Sequence, residues 1–358
     1  MMINVFPRWA EEAAEAASAL TLRRVVSQEK GMYRIAGPEG EQAACLSGKF
    51  RLGVETASEY PVVGDYVLVD ASRGELAVIK RVLPRKSLFV RKAAGTKRTE
   101  QAVAANIDTV FLCMALNRDF NLRRLERYLA VAWDSGATPV ALLTKADLAD
   151  DLEEKTAAVQ RTAPGTALIV TSALESLGLD QLAPYLEEGA TVAFVGSSGV
   201  GKSTLVNRFL GEERLATNGL RNDDRGRHTT TRRELLCLPC GAMVIDTPGM
   251  RELGMWETGD GLGAAFSEIE ALSAACRFRN CTHTSEPGCA VQAAIAAGEL
   301  DLERWLSYRK LAAESAYAKN AEQSAYAKEK KFKAIAKLNK QMKKRRGTND
   351  ALSEEQKV

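Results

Sequence analysis

"TVAFVGSSGVGKSTLVNRF", Thr191 to Phe209, joins an apolar run to a helix-forming one through a glycine-rich loop. Its apolar start reads as a buried strand, and "TLVNRFL" starts a helix. Between them, Gly196-Ser197-Ser198-Gly199-Val200-Gly201-Lys202-Ser203 fits the pattern G-x-x-x-x-G-K-[ST]. The glycines let backbone N–H groups wrap phosphates, and the helix N-terminus favours negative charge. Gly196 through Thr204 are thus assigned to nucleotide binding. Lys202 would bridge the β- and γ-phosphates, and the Ser203 hydroxyl would hold Mg²⁺. Such a loop usually opens its domain, yet here about half of the 358 residues precede it.

Working downstream, "AMVIDTPGM" is a second apolar strand, ending in Asp246-Thr247-Pro248-Gly249. A carboxylate at Asp246 can reach Mg²⁺ through water, and the Gly249 amide can meet the γ-phosphate. Between the loop and this strand lies "RNDDRGRHTTTRRE", the natural place for a switch whose threonine holds Mg²⁺ while the γ-phosphate is present. Thr230 is the first choice for that threonine and Thr231 the second.

Working upstream, "LLTKADL" places Thr144, Lys145 and Asp147 at a strand end, in the manner of the N/T-K-x-D guanine motif. The Asp147 carboxylate can accept from guanine N1–H and its exocyclic amine. Adenine offers no such donor pair, and a site built on such bonds rejects the analogue that lacks them. Lys145 would pack its stem along the base. "VTSAL" adds Ser172 and Ala173, like the short motif whose backbone amide meets the guanine carbonyl. The nucleotide is therefore read as GTP. GTPases usually run phosphate loop, switch, D-x-x-G, guanine motif, S-A. Here the last two come first, which is a circular permutation; the strands fill the same sheet wherever the chain is cut.

The remaining segments set the architecture. Residues 20 to 92 contain five short strand-like runs, "LTLRRVVS", "GMYRIAG", "EQAACLSG", "GDYVLVD" and "GELAVIKRVLP", which suit a small closed barrel such as an OB-fold. "RKSLFVRKAAGTKRTEQ" reads as a basic, flexible connection. From Asn106, "IDTVFLCMAL", "TPVALLTKADL", "TALIVTSAL" and "TVAFVGSSG" alternate with helical stretches such as "RRLERYLAVAWDSG". That alternation predicts a mostly parallel sheet with its ligands at the carboxyl ends of the strands.

Past Gly259 the chain reads as helical, interrupted by "CRFRNCTHTSEPGC". Cys276, Cys281, His283 and Cys289, spaced C-x₄-C-x-H-x₅-C, can satisfy one tetrahedral Zn²⁺ with no open position, which makes the site structural. "CLPC" (Cys237, Cys240) resembles a redox or metal half-site, but reads better as a hairpin turn between the switch and the D-x-x-G strand. Cys45 and Cys113 fall in apolar strands and are expected in the core.

Composition bounds the rest. The 358 residues are 46% hydrophobic and 27% charged, with seven cysteines, an odd number. That pattern favours a reducing compartment over a disulfide framework. No apolar run approaches the ~20 residues that cross a bilayer, and no secretory signal is visible. The expectation is a cytoplasmic monomer with no membrane partner. The net charge of +3 hides a split: Lys328 to Arg346 carries +9 and the remainder −6. Such an arm often seeks a polyanion. The expected fold class is multi-domain α/β: an N-terminal OB-fold barrel (1–92), a circularly permuted P-loop GTPase domain (93–258), a mostly helical zinc-binding domain (259–318) and a basic helical or disordered tail (319–358).

Taken together, "EQAVAANIDTV", "TKADL", "VGSSGVGKSTLVN", "GRHTTTRRE", "IDTPGMRE" and "CRFRNCTHTSEPGCAV" resemble the circularly permuted, ribosome small-subunit-dependent GTPases called RsgA or YjeQ. The resemblance covers nearly the whole chain. It implies late maturation of the small ribosomal subunit, rRNA as partner, and GTP hydrolysis stimulated by that particle. Two departures stand out. Thr144 replaces the commoner Asn and is short for bonding the base edge or bridging to the phosphate loop, so modest nucleotide affinity is expected. Met250 stands where many regulatory GTPases carry a water-orienting glutamine, so intrinsic hydrolysis should be slow. His228, beside the switch threonines, is the internal candidate for positioning water. The rival reading is a nucleotide-sensing RNA-binding adaptor whose hydrolysis is incidental; a P-loop ATPase would require Asp147 to be irrelevant.

Overall fold

Strand periodicity explains the N-terminal barrel. In Met32–Gly37 exposed and buried positions alternate before the strand turns inward, and in Gly40–Leu46 more and less exposed positions alternate, with Ala44 and Leu46 buried. A computed structural model of the chain describes residues 2–3, 5–17, 19–29, 31–71, 74–92, 100–215, 233–246 and 261–316. After a helix α1 (Arg8–Glu15) come β1 (Thr21–Glu29), β2 (Met32–Gly37), β3 (Gly40–Leu46), a short α2 (Gly48–Gly53), β4 (Tyr66–Asp70) and β5 (Leu76–Val82). The order β1-β2-β3-β5-β4 closes on itself through β1–β4 pairs such as Leu22↔Leu68, making the expected five-stranded barrel. Val25, Ile35, Val67 and Ile79 fill it.

The connection expected to be flexible begins and ends in strands, and its middle, residues 93–99, lies outside the described residues. β6 (Leu88–Lys92) pairs antiparallel with β7 (Glu100–Ala105), for example Leu88↔Ala105. Phe89 and Val103 are fully buried, and that burial is the reason the two strands pair.

Next come β8 (Thr109–Ala115), α3 (Leu122–Ser135), β9 (Thr138–Thr144), α4 (Leu152–Thr162), β10 (Ala167–Val170), β11 (Thr191–Val195) and α5 (Lys202–Leu210). β12 (Arg233–Cys237) and β13 (Met243–Asp246) follow, then α6 (Gly261–Ala265), α7 (Ser267–Ala274), α8 (Ala290–Ala297) and a helix over 302–316. The sheet order is β10-β9-β8-β11-β13-β12, parallel throughout except for β12. β8 and β11 are buried along their whole length, as parallel strands covered on both faces must be. Alternate β8 residues face different cores: Val110, Leu112 and Met114 join Leu125 and Leu129 of α3, while Phe111, Cys113 and Ala115 join Leu205 and Val206 of α5.

Barrel and parallel sheet are not merely tethered. β1 pairs antiparallel with β12 (Ser27↔Glu234, Gln28↔Arg233), so the two merge into one 11-stranded sheet. The junction is close-packed. Gly64, at φ +93°, lies where a Cβ would meet the Ala105 carbonyl at 2.1 Å. Arg24 is fully buried there; it donates to Gly64 O (3.3 Å), Asn106 O (3.3 Å) and Met243 Sδ (3.1 Å), with its guanidinium 4.6 Å from the Tyr66 ring centre.

The C-terminal helices dock on α3 as tightly. A Cβ on Gly261 would meet Ala130 O at 2.2 Å. Buried Glu126 of α3 accepts from Arg304 (3.1 Å) and Arg123 (2.7 Å), and Arg304 also bonds Glu268 (2.5 Å) and Ala265 O (2.9 Å).

Candidate functional site

The carboxyl ends of β11, β13, β9 and β10 lie on one edge of the sheet, and the sequence-assigned residues gather there. Gly196 follows β11 at φ +156°, and a Cβ would sit 2.4 Å from Cys113 O. Only glycine lets the loop leave the sheet so close to β8. Gly199 (φ +78°) and Gly201 (φ +102°) complete the turn, and Gly201 starts α5 without any side-chain cap. The first-turn amides of α5 are thus left available to an anion. Lys202 arches back over the loop, donating to Gly196 O (2.7 Å) and Ser197 O (2.6 Å). Lys202, Ser203 and Asp246 line a single small cavity with Phe194 and Ile245. This donor set, a hydroxyl and a carboxylate beside a lysine, fits Mg²⁺ carried in with a phosphate chain.

Across the sheet, Lys145 takes a left-handed conformation (φ +59°) that ends β9 and starts a short 3₁₀ turn carrying Asp147. Ser172, fully buried, donates its hydroxyl to Asp147 Oδ1. The S-A serine therefore orients the carboxylate assigned to the base. Ala173 follows, half-buried. Thr144 departs from expectation. Its hydroxyl reaches the phosphate loop and donates to Val200 O at 2.6 Å, despite its short side chain. Val200 is buried beside it, because the loop folds back toward β9 and closes the distance. The guanine motif and the phosphate loop are thereby bonded to each other.

Sequence reasoning missed Asp119. In the β8–α3 connection, its carboxylate accepts from the Ser197 hydroxyl and from Arg124 Nη1 (2.7 Å). The available signal was its place: "NRDFN" follows a strand at the same carboxyl edge. His228, Thr230, Thr231, Gly249 and Met250 lie outside the described residues, as does the basic segment Lys328–Arg346.

The second site is built on α7 and α8. Cys276, Cys281, His283 and Cys289 bring their ligand atoms within 4.8 Å of one another. Cys276 Sγ and Cys289 Sγ lie 3.9 Å apart, and each is 3.4–3.5 Å from His283 Nδ1. Zn–S of about 2.3 Å and Zn–N of about 2.0 Å at tetrahedral angles require about 3.8 Å and 3.5 Å for those separations. The four residues fit one zinc ion. Gln292 fixes the knuckle by donating to His283 O (2.7 Å), and Trp305 stands edge-on to the imidazole at 5.5 Å. Glu286 braces the same turn, accepting from the Thr282 hydroxyl and from the Thr282 (2.8 Å) and Thr284 (2.9 Å) amides. Those bonds, the Thr282 hydroxyl first, hold its carboxyl well below the usual range.

"CLPC" is the hairpin turn between β12 and β13, closed by Leu238 N to Ala242 O at 2.8 Å. Cys113 is core, and burial pushes its thiol up to about 12. Cys45 is half-buried rather than core. No helix among the described residues is long and apolar enough to cross a membrane.

The family model described as RsgA GTPase matches residues 82–256. A "Small ribosomal subunit biogenesis GTPase RsgA 2" of Lactiplantibacillus plantarum is 51% identical over 294 residues, covering 82% of this chain and 83% of the relative. A "Small ribosomal subunit biogenesis GTPase RsgA" of Opitutus terrae is 47% identical over 304 residues, with 82% and 83% covered. Among solved structures, YjeQ from Thermotoga maritima aligns with a TM-score of 0.62 at 30% identity, over 83% of this chain and 99% of that one. YloQ, described as a circularly permuted GTPase, aligns at 0.58 and 25% identity, over 83% and 95%.

Proposed function

The chain belongs to the RsgA GTPase family, and on that premise we propose that it hydrolyses GTP during late maturation of the small ribosomal subunit, stimulated by that particle. One observation carries the nucleotide reading: two strand ends bring Asp147, oriented by Ser172, and the phosphate loop together, with Thr144 bonded to Val200 O. Asp147 selects guanine. The loop amides and Lys202 bind the phosphates, and Ser203 and Asp246 would hold Mg²⁺ with Thr230. That ion, when bound, neutralises charge shared between the β- and γ-phosphates. Zn²⁺ in the Cys₃His site would hold α7 and α8 together as a structural staple.

The topology supports a route from nucleotide to barrel. The threonine segment leads directly into β12, and β12 pairs with β13 on one side and with barrel strand β1 on the other. Ordering of that segment by GTP would pull on a strand shared with the barrel, changing how the barrel meets rRNA. With Met250 unable to orient water, His228 is the residue to position it once the particle orders the loop. GDP would relax the arrangement and release the protein, acting as a monomer in the cytoplasm.

GTP turnover with and without purified small ribosomal subunits tests this. A large stimulation supports it. The second reading, favoured by Met250, is an adaptor in which GTP sets RNA affinity alone; nucleotide-dependent binding without stimulation would establish that one.

A further inference from the structure

Asn117, Asp119 and Asn121 form a polar run between β8 and α3 that none of the GTPase motifs absorbs. Asn117 Oδ1 accepts from the Asp119 amide (3.0 Å), and Asn121 caps α3 by accepting from Arg124 N (3.0 Å). The run is therefore a built turn that fixes where the Asp119 side chain goes.

That side chain bonds both the phosphate loop and α3. One carboxylate oxygen accepts from the hydroxyl of Ser197, the second residue of the phosphate loop. The other accepts from Arg124 in the first turn of α3, at 2.7 Å. The charge of Lys145, in the guanine motif, acts on it as well. Burial works to raise the carboxyl, but the Ser197 and Arg124 hydrogen bonds and the two cations hold it below the usual carboxylate range. It is thus ionised at neutral pH, with its charge spent on these partners.

We propose that Asp119 is a positioning residue for the guanine nucleotide, holding Ser197 in its binding conformation and coupling the phosphate loop to α3. It need not touch the reacting atoms. Ser197 carries one of the two carbonyls that Lys202 bridges, so a Ser197 held from outside keeps the loop's peptide planes aimed. Lys145 sits in a left-handed conformation that L residues rarely adopt, and its charge and that of Asp119 attract each other. Arg124 serves a second purpose: it offsets a negative charge that would otherwise stand near the bound phosphates. Because α3 is clamped to the C-terminal helices through Glu126 and Arg304, the same carboxylate connects the zinc-binding region to the phosphate loop. That route is independent of the D-x-x-G segment.

This inference rests on the reading that the pocket takes GTP and GDP, but its test uses no ribosomes. Loss of ribosomal stimulation would leave it standing, and its own failure would leave the GTPase reading standing. Equilibrium binding of fluorescent GDP and a non-hydrolysable GTP analogue is measured on the full chain for Asp119→Ala, Ser197→Ala and the double variant. Basal GTP turnover and apo melting curves are recorded alongside. Losing a charged acceptor should weaken both nucleotides roughly tenfold in Asp119→Ala. KM should rise by about the same factor with kcat unchanged, since the interaction is present throughout the cycle. The double variant should bind no more weakly than Asp119→Ala alone. Unchanged affinity in Asp119→Ala, or losses that simply multiply in the double variant, would overturn the assignment. If Asp119→Ala also lowers the melting temperature, the cycle still decides: coupling between the two positions supports the role and additivity refutes it.

Discussion

Replacing Arg304 by methionine removes the cation that ties the C-terminal helices to α3. Glu126, 1% exposed, would lose its 3.1 Å partner, and Glu268 its 2.5 Å partner. Breaking a buried ion pair from one side costs about 3–5 kcal/mol, because the remaining charge stays desolvated. Glu126 keeps Arg123 at 2.7 Å and the Ser307 hydroxyl, which favours the lower end. A loss of about 3 kcal/mol corresponds to an opening equilibrium raised by roughly two orders of magnitude. Amide hydrogen exchange across 261–316 reads that opening directly, without assuming that a multi-domain chain unfolds in one step. Combining Arg304→Met with Glu126→Leu removes both charges at similar volume and should recover most of the protection. Protection left unchanged by Arg304→Met, or a double variant that opens more than the single one, would refute the clamp.

Other outcomes follow from the site geometry. Gly196→Ala places a Cβ 2.4 Å from Cys113 O and should abolish binding of both GTP and GDP while leaving ATP equally excluded, read by calorimetry. Ser172→Ala frees Asp147 from its buried donor and should weaken GTP roughly tenfold, whereas Asp147→Ala should erase the preference for GTP over ATP in competition assays. Cys289→Ser should lower the zinc content measured on the purified chain from about one ion to none, with loss of protection in α7 and α8. Deleting the residues after Ala327 should flatten the salt dependence of rRNA binding, the logarithmic slope shrinking by just under about one for each phosphate that the arm neutralises.

What was legible in the sequence is what local chemistry dictates. A glycine loop between an apolar strand and a helix has few conformations open to it, so Gly196 to Ser203 could be placed without coordinates. The Cys/His spacing likewise foretold a cluster whose sulfur and nitrogen separations suit zinc. Barrel strands were readable because each is a short apolar or alternating run bounded by turn residues. The misses were all long-range. Nothing local in "RRVVS" or "RRELL" announces that Ser27 faces Glu234, since that pairing is set by how barrel and parallel sheet pack. Thr144 was judged by side-chain length, but the loop's path brings Val200 O to it. The β6–β7 hairpin was hidden by its basic, glycine-containing connection, although Phe89 and Val103 are buried on either side. Asp119 carried no motif at all.

If the small ribosomal subunit turns on GTP hydrolysis in this pocket, turnover must depend on that particle. Phosphate release from GTP by the full chain, measured on small subunits, on large subunits and alone, tests it most directly. Small subunits alone should accelerate release strongly, and Lys202→Ala should abolish that acceleration. Equal rates under all three conditions, or acceleration that survives loss of Lys202, would contradict it.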